Sequence, residues 1–223
     1  MELDHAIVTD EARAAEFTNE HGVSGTTRFL KNVIGLWVVQ EIKRDLARGG
    51  VDMSYEQLAA DAERATPFRS RVNVDAPQLA LAGDMVSKVR GLARSAGDPE
   101  PTTPGELVRS CLEGLAAAYA RTIDQIERIT GQTIETIHLV GGGVKNTLLN
   151  QMTADATGRR VLAGPSEATA MGNVMVQMRS AGEVSGLAQA RDVIRQSCRP
   201  GVFLPRSEPR WERLLGQVLE KPR

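Results

Sequence analysis

The stretch that decides the fold begins at Ile134 and reads Ile-Glu-Thr-Ile-His-Leu-Val, then Gly141-Gly142-Gly143, then Val-Lys-Asn-Thr-Leu-Leu-Asn-Gln-Met. An apolar, β-branched run stops at three glycines, and a helix-like segment follows them. Backbone without side chains costs about 0.5–1 kcal/mol per glycine in a regular element. The pattern predicts either a tight strand-to-helix turn or a place where a ligand lies against the main chain. The free N–H groups of the following helix would suit a phosphate there.

Two common nucleotide motifs do not fit these glycines. The dinucleotide fingerprint needs Gly-x-Gly-x-x-Gly, but Asn146 stands where its last glycine belongs. The P-loop ends in Gly-Lys-Ser/Thr, whereas Lys145 follows Val144 and precedes Asn146. The spacing therefore indicates neither a Rossmann cofactor nor a Walker-type phosphate site.

Strands and helices alternate around the glycines. We expect a strand at 134–140, a helix near 145–157, a strand at 159–163 and a helix near 166–180. Upstream, Thr103-Pro-Gly-Glu106 is a capping box that opens a long helix, and Ser54-x-x-Gln57 and Asp75-x-x-Gln78 indicate two shorter ones. This alternation predicts an α/β fold.

A further helix is expected at about 27–48, and its middle, from Val33 to Val39, reads as apolar and buried. Asn32 and Gln40 bracket that stretch and would lie on one i+4 ridge with Leu36. A buried amide without a partner costs roughly 1–3 kcal/mol. These side chains are therefore expected either to bond neighbouring backbone or to face a polar ligand.

The bulk composition is that of an ordinary globular protein. The 223 residues are 41% hydrophobic and 25% charged, with a net charge of -1, so nucleic acid is not an expected partner. Cys111 and Cys198 fit no metal or redox spacing, and Cys111 lies on an apolar helical stripe as a small core residue. We expect a cytoplasmic protein without a signal peptide or a membrane span.

Four stretches together resemble the C-terminal domain of the FGGY family of carbohydrate kinases, and in particular its rhamnulokinase branch. The similarity extends from about residue 2 to about residue 205. The matching stretches are Phe17-Thr-Asn-Glu-His-Gly-Val, Arg28-Phe-Leu-Lys-Asn-Val-Ile-Gly-Leu-Trp-Val-Val-Gln40, His138-Leu-Val-Gly-Gly-Gly-Val-Lys-Asn-Thr-Leu-Leu-Asn-Gln-Met152 and Ala163-Gly-Pro-Ser-Glu-Ala-Thr-Ala-Met-Gly-Asn173. The resemblance implies the C-terminal lobe of an actin-like ATPase (ribonuclease H-like) fold at residues 1–205, followed by a helical tail at 206–223.

The resemblance also implies which residues bind ATP. Asn32, Gln40 and Gly142 match ATP-binding positions of the family, with Gly141 and Gly143 as neighbours of the last. Asn146 matches a nucleotide-contacting asparagine of the related glycerol kinases. ATP and Mg²⁺ are the implied cofactors, and L-rhamnulose is the implied sugar, bound mainly by an N-terminal lobe.

That N-terminal lobe carries the catalytic aspartate in the family, and we find no residue in this chain fit to be the base. We therefore expect a lobe that is inactive alone, from a split gene, a wrongly assigned start or a deliberate truncation. Two alternatives stay open: a non-catalytic fragment or pseudokinase remnant, and a kinase lobe for a related ketose or pentulose. The oligomeric state is not indicated by the sequence.

Overall fold

A computed structural model describes residues 1–218 and the side-chain surroundings of residues 1–216. The chain forms two compact units: Met1–Ile134 with the chain from Arg213 onwards, and Glu135–Glu212. The sequence placed a boundary between residues 205 and 206 instead, and that boundary stays a prediction. No helix among the described residues is both long and apolar enough to cross a membrane.

The first unit opens with a small antiparallel sheet in the order β1-β3-β2. Its strands are β1 (Glu2–Leu3), β2 (Thr18–His21) and β3 (Thr27–Leu30), with helix α1 (Asp10–Ala14) after β1. The rings of Phe17 and Phe29 stack with centroids 4.6 Å apart. Both are buried together with Ile126 of a later helix, so one apolar cluster holds the sheet.

The single helix expected at 27–48 is wrong. Residues 27–30 are strand β3, which pairs with β1 on one side and β2 on the other, and helix α2 runs only from Trp37 to Arg48. Between them Gly35 has φ +62°, a left-handed conformation that would interrupt a right-handed α-helix. Pairing with two neighbouring strands supplies the backbone hydrogen bonds of 27–30, and this tertiary pairing overrides the local helical pattern.

Two of the capping boxes are confirmed. Ser54 and Gln57 cap α3 (Tyr55–Arg64) reciprocally, and Thr103 and Glu106 do the same for α5 (Pro104–Thr130). Around Asp75 only a 3-10 turn forms, at Pro77–Ala80, with Ala76 as its cap. The carboxylate of Asp75 pairs with Arg121 instead of capping a helix.

The sequence predicts a helix near 82–95, and helix α4 (Met85–Ser95) begins later than that because its start depends on another helix. The residue before it, Asp84, has φ +50° and gives no side-chain cap. Instead Asp45 of α2 accepts a hydrogen bond from the Val86 N–H at 3.3 Å, and Glu41 accepts one from the Gly83 N–H at 3.2 Å. A cap supplied from elsewhere in the chain leaves no local sequence signal.

The 27-residue helix α5 forms the centre of the first unit. It buries apolar side chains on most of its length, among them Cys111, which is 0% exposed, as expected. Its Gly114 lies so close to the chain at Val72 that an added Cβ would be 2.3 Å from the carbonyl oxygen of that residue. Close backbone contact, more than side-chain volume, sets the packing here.

The second unit contains a three-stranded mixed sheet in the order β4-β5-β6. Strand β4 (Thr136–Leu139) pairs in parallel with β5 (Arg160–Ala163), and helix α6 (Thr147–Thr157) connects them. This βαβ arrangement confirms the predicted alternation. Strand β6 (Gly201–Phe203), antiparallel to β5, was not expected from the sequence.

Three more helices complete the described chain. They are α7 (Ala168–Ser180), α8 (Leu187–Ser197) and α9 (Pro209–Val218), and the sequence predicts them near 166–180, at 187–195 and from Glu208. No side chain of α7 is buried, although Val174 and Val176 lie on it. The tail expected to be helical at 206–223 is helical at 209–218, and its last five positions lie outside the described residues.

Candidate functional site

The three glycines lie where β4 ends and α6 has not yet begun. Leu139 is the last residue of β4, and Gly142–Lys145 form a 3-10 turn before α6 starts at Thr147. The strand–glycine–helix order is confirmed, but the helix starts two residues later than predicted because the 3-10 turn precedes it. We call residues 141–146 the glycine turn.

Gly141 requires the absence of a side chain. Its φ of +82° and ψ of -170° define a conformation that L side chains rarely adopt. Its N–H donates to the carbonyl of Pro165 at 3.0 Å, and the N–H of Gly164 donates to Leu139 at 2.8 Å. The segment after β5 therefore fixes the backbone at the end of β4 and at the first residue of the turn.

Gly142 differs from Gly141, since nothing in its own conformation requires a glycine. It is exposed, its φ is not positive, and a Cβ built on it would have no atom of the protein within 4 Å. Gly143 is exposed as well. The space over these residues is open, so a ligand could approach their main chain directly.

Asn146 caps α6, a role for which asparagine is well suited at the position just before a helix. Its Oδ1 accepts a hydrogen bond from the N–H of Leu149 at 2.9 Å. No acidic residue lies in the first turn of α6, and Lys145 just before it is exposed. The partial positive charge of the helix end is therefore not neutralised locally, which favours an anion near the glycine turn.

One polar side chain beside the glycine turn was missed in the sequence analysis. Asn150 is only 1% exposed, and its Nδ2 donates to the carbonyl of Val144 at 2.8 Å. The available signal was a second asparagine four residues after Asn146, on the same face of the helix.

Asn32 and Gln40 do not share a helix, so the predicted ridge is wrong. Asn32 lies in the loop between β3 and α2, and Gln40 in the first turns of α2. Both are exposed, so neither carries the penalty of a buried amide. Among the described residues, none hydrogen-bonds either side chain. Both amides are free to bind something else, and their role in ATP binding stays a prediction.

The first acidic residue after the glycine turn in the sequence has a structural role. Asp155 of α6 accepts hydrogen bonds from Gln151 at 2.7 Å and from the backbone of Arg206 at 2.8 Å, and it forms an ion pair with Arg206. In the described part of the chain, no group of three or more His, Cys, Asp or Glu side chains is arranged to hold a metal ion.

Comparison with known sequences gives a consistent result. The family model described as the C-terminal domain of the FGGY family of carbohydrate kinases matches residues 1–181. Rhamnulokinase from Bacteroides thetaiotaomicron is 39% identical over 212 residues, which are 95% of this chain and 43% of that protein. Rhamnulokinase from Bacillus subtilis is 42% identical over 200 residues, covering 90% of this chain and 41% of the relative. The chain thus spans about two fifths of the length of these relatives.

Solved structures show the same fold at low identity. Xylulose kinase from Rhodospirillum rubrum superposes with a TM-score of 0.62 at 20% identity, over 91% of this chain and 41% of that one. Glycerol kinase from Plasmodium falciparum, solved with ADP, gives a TM-score of 0.59 at 15% identity over 88% of this chain and 40% of the other. These similarities confirm the predicted fold class, the C-terminal actin-like lobe of a sugar kinase.

Proposed function

Because this chain belongs to the FGGY family of carbohydrate kinases, we propose that it is the ATP-binding lobe of a rhamnulokinase-like enzyme. In the complete enzyme the γ-phosphoryl group of ATP passes to the 1-hydroxyl of L-rhamnulose, which gives L-rhamnulose 1-phosphate and ADP. The identity to two curated rhamnulokinases supports the choice of sugar. The sugar itself is bound mainly by the N-terminal lobe.

The glycine turn carries this proposal. Gly142 offers open main chain, and α6 directs the free N–H groups of its first turn towards the same end of the helix. Nucleotide phosphates are anions that bind well to such helix ends. ATP therefore lies against Gly141, Gly142 and Gly143, where any larger side chain at position 142 would occupy its space.

Three amides complete the proposed ATP site. Asn32 and Gln40 each present an exposed side chain without a partner among the described residues. Asn146 uses its Oδ1 for the cap, which leaves its Nδ2 as the group that can donate to a nucleotide oxygen.

Mg²⁺ belongs to this site as the partner of the ATP phosphates, whose negative charge it neutralises during phosphoryl transfer. The described residues offer no clustered ligands of their own, which fits a metal that is held chiefly by phosphate and water. Catalysis also needs a base for the attacking hydroxyl, and that base comes from the N-terminal lobe. We therefore propose that this chain alone binds ATP in the cytoplasm but does not phosphorylate sugar.

Calorimetric titration of the chain with MgATP tests the nucleotide site. Wild type should bind, and Gly142→Val should weaken binding at least tenfold because its side chain occupies the approach to the main chain. Gly186→Val is the matched control: Gly186 lies in the same unit, has extended φ and also has no atom within 4 Å of an added Cβ. Equal binding by wild type and Gly142→Val would contradict the site.

A chimera tests whether this chain can serve as the nucleotide lobe of a rhamnulokinase. This chain would replace the matching C-terminal segment of the Bacillus subtilis relative, whose own N-terminal part would supply the sugar site and the base. ATP-dependent phosphorylation of L-rhamnulose by the chimera supports the proposal. A folded chimera without this activity would contradict it.

A further inference from the structure

Asn150 is a buried amide in direct contact with the glycine turn. Its backbone N–H donates to the carbonyl of Asn146 at 3.0 Å, as expected in a helix. Its side-chain Nδ2 donates outside the helical pattern, to the carbonyl of Val144 at 2.8 Å. Val144 is in the middle of the 3-10 turn that Gly142 begins. The side chain therefore joins the body of α6 to the segment on which the ATP site is proposed.

The other end of the same amide has no partner. Among the described residues, nothing donates to the Oδ1 of Asn150, and this atom is inaccessible to solvent. Rotating the amide by 180° would not help, because Oδ1 would then meet the carbonyl of Val144 and the donor would be lost. The orientation of the side chain is therefore fixed by the bond to Val144.

An unpartnered buried acceptor is unfavourable for folding. Leucine has the same branched shape and number of side-chain heavy atoms, and it would remove this acceptor from the apolar face of α6. Within the described part of the chain, the hydrogen bond to Val144 is the one that the asparagine side chain adds. The role of Asn150 should therefore depend on the part of the chain that this bond restrains, which is the glycine turn.

The bond from Asn150 to the Val144 carbonyl restrains the glycine turn on its buried side. The N–H of Val144 donates to Gly141 at 3.2 Å, and the N–H of Asn146 donates to Gly143 at 3.1 Å. These bonds lie at the long end of the ordinary range and belong to a short turn that is open to solvent at Gly142. A buried donor on the Val144 carbonyl adds a restraint that is protected from water.

We propose that Asn150 is a positioning residue that fixes the conformation of the glycine turn and so presents the main chain of Gly142 to the nucleotide. The second half of this statement rests on the proposed function. Asn150 contacts no nucleotide itself. Its effect on ATP binding passes through Val144.

The test compares Asn150→Leu and Asn150→Asp with a matched control, all in the full chain. Asn150→Leu removes the donor, and Asn150→Asp replaces it with an acceptor that repels the Val144 carbonyl. The control is Thr153→Val: Thr153 is also 1% exposed and bonds Leu149 at 2.7 Å, but that bond lies within α6. Amide hydrogen exchange at Val144 and Asn146 is measured by NMR, thermal stability by calorimetry and affinity by MgATP titration.

In both Asn150 variants, hydrogen exchange at the Val144 and Asn146 amides should be at least tenfold faster than in wild type. MgATP binding should be at least fivefold weaker. Thr153→Val should change neither, even where its loss of thermal stability is as large. Unchanged exchange in both Asn150 variants overturns the positioning role, and so does an equal effect of Thr153→Val. Wild type that binds no MgATP contradicts the proposed function instead, and the exchange rates then decide on Asn150 by themselves.

Discussion

The N–H of Gly141 donates to the carbonyl of Pro165 at 3.0 Å, which joins the turn after β4 to the turn after β5. The N–H of Gly164 returns a bond to Leu139 at 2.8 Å. The parallel pairing of the two strands thus continues past their ends. The position of the glycine turn is consequently set by the sheet, and only its inner conformation depends on side chains such as Asn150.

Gly141→Ala should destabilise the chain by roughly 1–3 kcal/mol, because its positive φ is strained for any residue with a Cβ. Urea unfolding followed by circular dichroism measures the effect. Gly142→Ala is the control, since its φ is not positive and its Cβ would meet no atom. The control should lie within about 0.5 kcal/mol of wild type. Equal losses in both variants would show that strain at Gly141 is not the reason.

Gly114→Ala should also destabilise the chain, although alanine is normally more favourable than glycine inside a helix by about 1 kcal/mol. The added Cβ would lie 2.3 Å from the carbonyl oxygen of Val72 and 2.8 Å from a methyl carbon of Val74, so the backbone must move. The expected loss is about 1–3 kcal/mol, as for other overpacked sites.

Gly91→Ala in α4 is the matched control, for which the change in the free energy of unfolding should have the opposite sign. It is also a helical glycine, but no atom lies within 4 Å of the added Cβ. This variant should be stabilised by about 0.5–1 kcal/mol in the same urea experiment. Stabilisation of both helices by alanine would contradict the close approach of α5 to Val72.

Cys111 should resist thiol reagents in the folded protein. Burial raises the pKa of its thiol to about 12, so almost no thiolate exists at pH 8, and the side chain is inaccessible. Cys198 is partly exposed and should react first with Ellman's reagent. One thiol should titrate in buffer and two in urea. Fast reaction of both thiols in buffer would contradict the buried position of Cys111.

The ion pair of Asp98 with Arg71 should stabilise the first unit in a pH-dependent way. Burial alone would raise the pKa of Asp98, but the hydrogen bonds from Arg71, at 2.7 and 2.8 Å, lower it below its ordinary value of 3.8. A lowered pKa means that the stabilisation is complete above pH 3.8 and is lost as the pH falls through the folded-state pKa.

Asp98→Asn should therefore lower the free energy of unfolding by roughly 1–3 kcal/mol at pH 7. The difference from wild type should shrink as the pH falls below about 4, where the carboxylate becomes protonated first in unfolded wild type and then, at lower pH, in the folded protein. Urea unfolding at pH 7, 5 and 3 measures it. A difference that is constant across this range would assign the loss to packing instead of charge.

Local signals predicted the helices that carry their own caps. The boxes at Ser54 and Thr103 lie beside the helices they open, and Gly131 and Gly158 end α5 and α6 with positive φ. Where the determinant is distant in sequence, prediction failed. The cap of α4 comes from Asp45, and Asp75 gives its carboxylate to Arg121.

Strand pairing explains the largest error. Residues 27–30 pair with β1 at residues 2–3 and, across a short hairpin, with β2 at residues 18–21, so their helical pattern was misleading and Asn32 was placed on a helix. At the site, three consecutive glycines predicted the turn, because a run of residues without side chains can be read directly from the sequence. The role of Asn150 was not visible, since it depends on a bond to the Val144 carbonyl.

The most direct test of ATP binding at the glycine turn is an NMR titration of the isotope-labelled chain with MgATP. The account predicts that the largest shift changes among the assigned amides fall within residues 141–149, and that Gly142→Val abolishes them while the rest of the spectrum stays folded. Shift changes confined to other parts of the chain, or the same changes in Gly142→Val, would contradict it.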